Sequence, residues 1–337
     1  MKGMREAIAG ALCVVAGQVA AQAPSTGSGH AASTGSGHAY PVKPLKMIIP
    51  FPAGGPTDIL GRLVGQKLTE SWGHTVVIDN RPGGGGLIGG QLAAKSPPDG
   101  YTIYLGGITT LVLSTYVHKN RPYDSQRDFL PVTQTTVQPL LLMTHPALPV
   151  KTVQEYLALA RARPGEINYG TSGPGGSGHL AGELLRGMTG INIVHVPYRG
   201  QPPALNDLLA GQVQSMFGAP LAVVPHIRNA KIRALAVTGH KRSIAVPSVP
   251  TFDEAGLPGY DASTWNGIMV PTGTPRAIID RLHSEIVKIL RTPNTLERLA
   301  GDGSVAVAST PEEFAAFIKS EHAKWSRVVR EANIRID

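Results

Sequence analysis

Cysteine is all but missing from this sequence: its one copy, Cys13, lies in an apolar run near the start, from Ile8 to Ala16. The rest of the chain can hold neither a disulfide framework nor a thiol nucleophile. Aromatic residues make up 5% and no Lys/Arg block occurs, although the formal net charge is +8. Nucleic-acid binders need basic stripes and stacking rings, so no nucleic-acid partner is expected; spread charge of this kind is a solvated surface. No apolar run reaches the ~20 residues of a membrane span. Also lacking are a G-x-S-x-G elbow, an H-E-x-x-H helix, a G-x-x-x-x-G-K-S/T loop and any Cys/His cluster at metal-ligand spacing. The chain is therefore not expected to be an enzyme, with no catalytic residue and no metal site. Two G-x-G-x-x-G matches occur, Gly84/Gly86/Gly89 and Gly173/Gly175/Gly178. Neither has the acidic residue that a dinucleotide site places about 20 positions later, so no cofactor is expected.

What is present is an exported α/β chain. Its 337 residues exceed what one core usually organises, and 42% are hydrophobic, which predicts two packed lobes. Lys2 and Arg5 precede the apolar run, and Ala21-Gln22-Ala23 offers small residues at the positions a signal peptidase reads. Residues 1–23 thus read as a signal peptide. Leu12 before Cys13 does not suit a lipoprotein signal. Residues 24–40 read as a flexible Gly/Ser-rich tether in which Ser-Thr-Gly-Ser-Gly-His-Ala occurs twice, with His30 and His38 solvated.

Strand and helix patterns then alternate, which predicts mainly parallel sheets flanked by helices. Leu45 to Ile49 reads as a strand, and Ile59, Leu60, Leu63, Val64 and Leu68 fall on one helical face. Further strands are read at Val76–Ile78, Tyr101–Leu105, Pro139–Met143, Ile167–Tyr169, Ile193–Val196, Ser215–Phe217 and Ala234–Val237. Thr152 with Glu155, and Thr310-Pro311 with Glu313, are capping boxes that open helices.

Two Gly-rich loops join a strand to a helix, Pro50 to Asp58 and Gly170 to Gly178. The first N–H groups of a helix have no intrahelical partner, and the macrodipole makes that end positive. Each loop is thus a cradle for carboxylate or phosphate, with hydroxyl donors from Thr57, Thr171, Ser172 and Ser177. Asp58 suits a helix start as a cap, and His179 suits capping or anion contact. Facing loops on two lobes would enclose a cleft at the carboxyl ends of the strands.

Several segments together resemble one family. They are Phe51-Pro52-Ala53-Gly54-Gly55-Pro56-Thr57-Asp58, Asn80-Arg81-Pro82-Gly83, Pro98-Asp99-Gly100-Tyr101-Thr102, Val196-Pro197-Tyr198-Arg199-Gly200 and Asp207-Leu208-Leu209-Ala210-Gly211-Gln212-Val213. From residue 44 onward the chain resembles the tripartite tricarboxylate transporter receptors, the Bug or TctC-like solute-binding proteins. The resemblance implies a periplasmic Venus-flytrap fold, with residues 41–138 plus 244–337 as lobe I and 139–243 as lobe II. It implies a small carboxylate ligand and delivery to a membrane permease of one small and one large subunit. By position it nominates Phe51, Pro52, Ala53, Gly54, Gly55, Thr57 and Asp58 on one side. Across the cleft it nominates Thr171, Ser172, Gly173, Gly175, Ser177 and His179, with Thr109, Gly218 and Ala219 completing the set.

Where many relatives carry an acidic or amide pair, this chain has Gly218-Ala219. An ammonium group would want a carboxylate there, so the expected ligand is an amine-free mono- or dicarboxylate, aromatic ones included. Two other readings have different discriminators. A periplasmic hydrolase would need Ser172 or Ser177 within hydrogen-bonding reach of His179. A carboxylate-sensing partner of a membrane kinase would share the fold and differ only in its partner.

Overall fold

The computed structural model describes residues 40–332 apart from 119, 221–222 and 302. The expected signal peptide and all of the expected tether except Tyr40 lie outside the described residues. The chain runs through β1 (Leu45–Ile49), α1 (Pro56–Trp72), β2 (Val76–Asn80), α2 (Leu87–Ala94) and β3 (Thr102–Gly107). A widened helical turn at Thr109–Leu113 continues into α3 (Ser114–Val117), and β4 (Phe129–Gln138) follows. Next come β5 (Leu141–Thr144), α4 (Val153–Ala162), β6 (Asn168–Thr171), α5 (Ser177–Thr189), β7 (Val194–Pro197) and α6 (Gln201–Leu209). They are followed by β8 (Ser215–Gly218), α7 (Val224–Arg228) and β9 (Arg233–Val237). The last elements are β10 (Thr264–Pro271), α8 (Arg276–Leu290), α9 (Pro293–Gly301), β11 (Val305–Ala306) and α10 (Pro311–Glu331).

The strands form two sheets, ordered β11-β4-β10-β3-β1-β2 and β7-β6-β8-β5-β9. β1 runs parallel to both neighbours, and so does β6. β10 is antiparallel to β3 and β4, and β5 is antiparallel to β8 and β9. β11 is antiparallel to β4 as well, so both sheets are mixed rather than mainly parallel, with helices between their strands. The reversed inner strand of each sheet is the one by which the chain enters it from the other sheet. β4 passes to β5 in the first crossing, and β10 follows the return.

The helices bury the faces their sequence marks. α1 places Leu60, Val64 and Leu68 against Met47 and Ile49 of β1, and α8 adds Leu282 and Ile286 to the same core. Burying side chains of this size stabilises by roughly 1.5–3 kcal/mol each. α10 starts on a full capping box between Thr310 and Glu313. At α4 only half of the expected box forms. Thr152 accepts from the Glu155 N–H, but the Glu155 carboxylate takes the N–H of Lys151 instead of that of Thr152.

The return to the first sheet also comes later than the expected residue 244. Val246 and Val249 pack with Leu141 and Met143 of the second sheet. The Val237 N–H donates to the Pro250 carbonyl (2.8 Å), and the Phe252 N–H donates back to Val237 (3.2 Å). This segment covers β9, an edge strand whose open side would otherwise invite pairing. The second sheet's own structure thus extends to about Ser263, where β10 begins.

Candidate ligand-binding site

The first Gly loop leaves β1 at Ile49 and enters α1 at Pro56. Gly54 sits at φ +81°, the left-handed region that favours glycine. Its N–H donates to Asp58 Oδ2 (2.8 Å), which also accepts from Arg62 Nε (2.8 Å), while Oδ1 accepts from Asn80 Nδ2 (2.9 Å). Burial pushes the Asp58 carboxyl up, but the hydrogen bonds from Arg62, Gly54 and Asn80 outweigh it and hold it below its usual range. Asn80 also reaches the Phe51 carbonyl (3.1 Å). Asp58 therefore folds the loop from behind.

The second loop joins β6 to α5 and is held by a different network. Thr171 Oγ1 lies 2.6 Å from His195 Nε2 and accepts from the Gly173 N–H (3.3 Å). The Gly175 N–H donates to His179 Nδ1 (3.0 Å), and the His179 ring stacks on that of His195. Beyond His179, Glu183 is bonded by the Tyr169 hydroxyl and doubly by Arg186. Burial, helped by Arg186, lowers His179 to about 4. Burial, helped by His179, lowers His195 to about 4. Both imidazoles are neutral at pH 7.

α1 and α5 begin at glycine N-caps, Gly55 and Gly176, and neither has a side-chain cap. Their first-turn N–H groups therefore stay available. Both helix ends open onto one cavity of about 680 Å³. Phe51, Pro52, Ala53, Gly54, Gly55 and Thr57 line it on one side, with Thr109. Ser172, Ser177, Gly218 and Ala219 line it on the other. α5 lies so close to β8 that a Cβ on Gly178 would meet the Phe217 carbonyl oxygen at 2.8 Å.

Five nominated residues do not reach this wall. Asp58 turns both carboxylate oxygens into its own loop, Thr171 is fully buried against His195, and Gly173, Gly175 and His179 form the loop's back. Their contribution is to hold the wall in shape. The wall also has members that the sequence reading passed over, among them Gln138, Leu140, Gln201, Thr264 and Asn266. Gln201 pairs through both ends of its amide with the backbone of Ala219 (3.0 and 3.1 Å). Asn266 accepts from Thr57 Oγ1 (3.4 Å) and donates to Thr136 (3.4 Å), tying α1 to β10. Gln201 directly follows the Tyr198-Arg199-Gly200 segment, which was a usable signal; the others carried none.

Among the described residues, no Asp, Glu, Lys, Arg or His lines the cavity. Its polar groups are neutral hydroxyls, amides and backbone N–H groups. A histidine base is also out of place: His179 Nδ1 is taken by Gly175, Nε2 faces Glu183 at 3.8 Å, and no hydrogen bond joins it to Ser172 or Ser177. Among the described residues no group of three metal-ligating side chains occurs, and no helix is long and apolar enough to cross a membrane.

Two mixed sheets, two crossings and a cavity rimmed by helix N-termini define a two-lobed binding protein of the periplasmic type. The profile of the family described as "Tripartite tricarboxylate transporter family receptor" matches residues 60–334. BugT of Bordetella pertussis is 38% identical over 298 residues, 88% of this chain and 91% of that one. The UPF0065 protein of the tcbD-tcbE intergenic region of Pseudomonas sp. is 39% identical over 294 residues, 87% of each chain. A solved structure of an R. palustris protein with adipate has a TM-score of 0.77 at 36% identity, covering 88% of this chain and 100% of that one. MatC of Rhodopseudomonas palustris, with bound malate, has a TM-score of 0.73 at 30% identity, covering 86% and 100%. The chain belongs to the tripartite tricarboxylate transporter receptor family: it is a solute-binding receptor and not an enzyme.

Proposed function

We propose that this receptor captures a small amine-free mono- or dicarboxylate, aromatic ones included, between its two lobes. The observation that carries this reading is a cavity rimmed by two uncapped helix N-termini and lined, among the described residues, by no ionisable side chain. Helix N-termini favour an anion through free N–H groups and the macrodipole. An ammonium group in the same cavity would lose its water and meet no counter-charge. Gly218-Ala219, where the Ala219 backbone is paired with Gln201, offers none. The adipate and malate of the two similar proteins are both amine-free dicarboxylates.

Contacts to both lobes favour a closed state by as much as the ligand's affinity differs between the two states. The nominated wall residues are Phe51, Pro52, Ala53, Gly54, Gly55, Thr57, Thr109, Ser172, Ser177, Gly218 and Ala219. The receptor then works in the periplasm and hands its ligand to the small and large permease subunits of a tripartite transporter. The test is a thermal-shift and calorimetry panel of aliphatic and aromatic carboxylates alongside glutamate and aspartate. A shift that grows with concentration of an amine-free acid is expected. Tight glutamate or aspartate binding, with no response to the amine-free acids, overturns the reading.

A further inference from the structure

Beside the cleft lies a smaller space of about 130 Å³. Gly54, Pro56, Gln138, Ala219 and Asn266 line both, so this annex adjoins the cleft where α1 begins. Gly54 and Pro56 are exposed, and Ala219 and Asn266 are half-buried, so the shared wall is open to solvent rather than packed away. Ile59 of α1 adds an apolar side, and α9 adds Arg298. Just past α9 the chain comes close to the other lobe: a Cβ on Gly303 would meet the Pro220 ring at 3.0 Å. The annex is therefore bounded by α1 and α9 on one side of the cleft and by Ala219 on the other.

Arg298 is the one ionisable side chain among the described residues that line the annex. It is exposed, and it makes no hydrogen bond or ion pair among the described residues. Nearby Arg62, by contrast, is spent on Asp58 (2.8 Å). The two helix N-termini provide for one carboxylate in the cleft. A second carboxylate on the same ligand would be left among neutral hydroxyls and amides, losing water without gaining a counter-charge. Arg298 supplies the missing cation, and its planar fork matches a carboxylate. A monocarboxylate makes no use of it.

We infer that Arg298 is a specificity-determining residue that receives the second carboxylate of the ligand. The inference rests on the carboxylate reading of the cleft and narrows its ligand class to elongated dicarboxylates. One end sits at the starts of α1 and α5, the ligand's apolar middle passes Pro56 and Ile59, and the other end reaches the guanidinium.

The probes are succinate, adipate, suberate and terephthalate, each beside its monomethyl ester. The ester keeps the length and one carboxylate and loses the second charge. Calorimetry gives the ratio of the two affinities. For the diacid that binds best, the wild-type ratio at low salt should be at least about fivefold, the upper range for an ion pair at an exposed site. It should shrink as sodium chloride is raised, because an exposed pair is screened. Arg298→Gln should reduce the ratio to the statistical advantage of two equivalent ends and leave the affinity of the ester unchanged. Arg298→Lys should keep part of it. The ratio is read within one variant, so a general loss of stability does not imitate the effect. A wild-type ratio at the statistical value, or one that survives Arg298→Gln, overturns the inference, while binding of the ester leaves the reading of the cleft standing. Binding of neither diacids nor esters overturns both.

Discussion

His179 and His195 lie face to face behind the second Gly loop, with ring centroids 3.9 Å apart and planes 10° from parallel. One ring accepts from the loop's Gly175 N–H, and the other is bonded to Thr171. The loop that lines the cleft is therefore propped by two imidazoles that stay uncharged at neutral pH.

This pair sets a pH dependence of defined sign. Both histidines titrate near 6.5 when unfolded and are lowered to about 4 when folded. Between those values the unfolded chain binds more protons, so stability rises with pH there and is complete above about 6.5. Allowing for partial solvent access and for coupling between the rings, acidification from pH 7 to pH 5 should cost about 2 kcal/mol. Urea denaturation at both pH values measures this, and His195→Gln should reduce the difference to roughly half, because His179 is lowered by its own burial and by Arg186.

Asp58→Asn should weaken ligand binding although its side chain does not touch the cleft. The amide keeps one acceptor and places a donor against Asn80 or against Gly54 and Arg62. The expected loss is about 2 kcal/mol of stability, the range for hydrogen bonds to a charged group. A drop of about tenfold in affinity should follow from loosening the Gly54 turn (roughly 1.4 kcal/mol). Calorimetry with the best carboxylate of the panel, beside urea denaturation, separates the two effects.

Two loop glycines should respond differently to alanine. At Gly178 the new Cβ meets the Phe217 carbonyl at 2.8 Å, so α5 must back away from β8. A loss of about 1–3 kcal/mol is expected, as for overpacking elsewhere. At Gly55 the backbone is ordinary (φ −77°) and a Cβ would make only a 3.5 Å contact with Pro52. Its thermal stability should stay nearly unchanged. Equal losses at both positions would contradict the packing described here.

Gly218→Asp places a carboxylate on the neutral wall. The nearest atoms to its Cβ are the Met216 and Met143 methyl ends and the Gln201 amide, at 3.0–3.3 Å. Flexible methyl ends can move, so the protein should fold. Binding of an amine-free dicarboxylate should fall by at least about tenfold, since like charges in a desolvated cleft repel. Isothermal titration against wild type gives the number.

The sequence announced the elements whose physics is local. The apolar run from Leu45 to Ile49 is β1 to the residue, and the spacing of Leu60, Leu63, Val64 and Leu68 marks the buried face of α1. Thr310-Pro311 with Glu313 located the start of α10. β4 was invisible for the opposite reason. It lies inside its sheet, so alternation between a wet and a dry face is absent. Its buried Thr133, Thr135 and Thr136 read as loop residues in one dimension. The Thr133 hydroxyl donates to the carbonyl of Ser309, far along the chain, and the Gln134 N–H donates to the Ser309 hydroxyl. The site divided the same way. The Gly loops carry a helix-start signature, whereas Gln138, Thr264 and Asn266 are single neutral side chains gathered by topology. Asp58 and His179 are readable in the sequence either as caps or as ligand contacts, because composition cannot say which way a side chain turns.

The neutral wall of the cleft has a consequence for how loading is felt outside it. A lining without titratable groups has no proton to give up or take on when an ionised carboxylate arrives at neutral pH. The heat of binding should then be the same in buffers with very different ionisation enthalpies. The ligand's full negative charge would offset part of the chain's formal charge of +8, making the loaded receptor a less basic particle than the empty one.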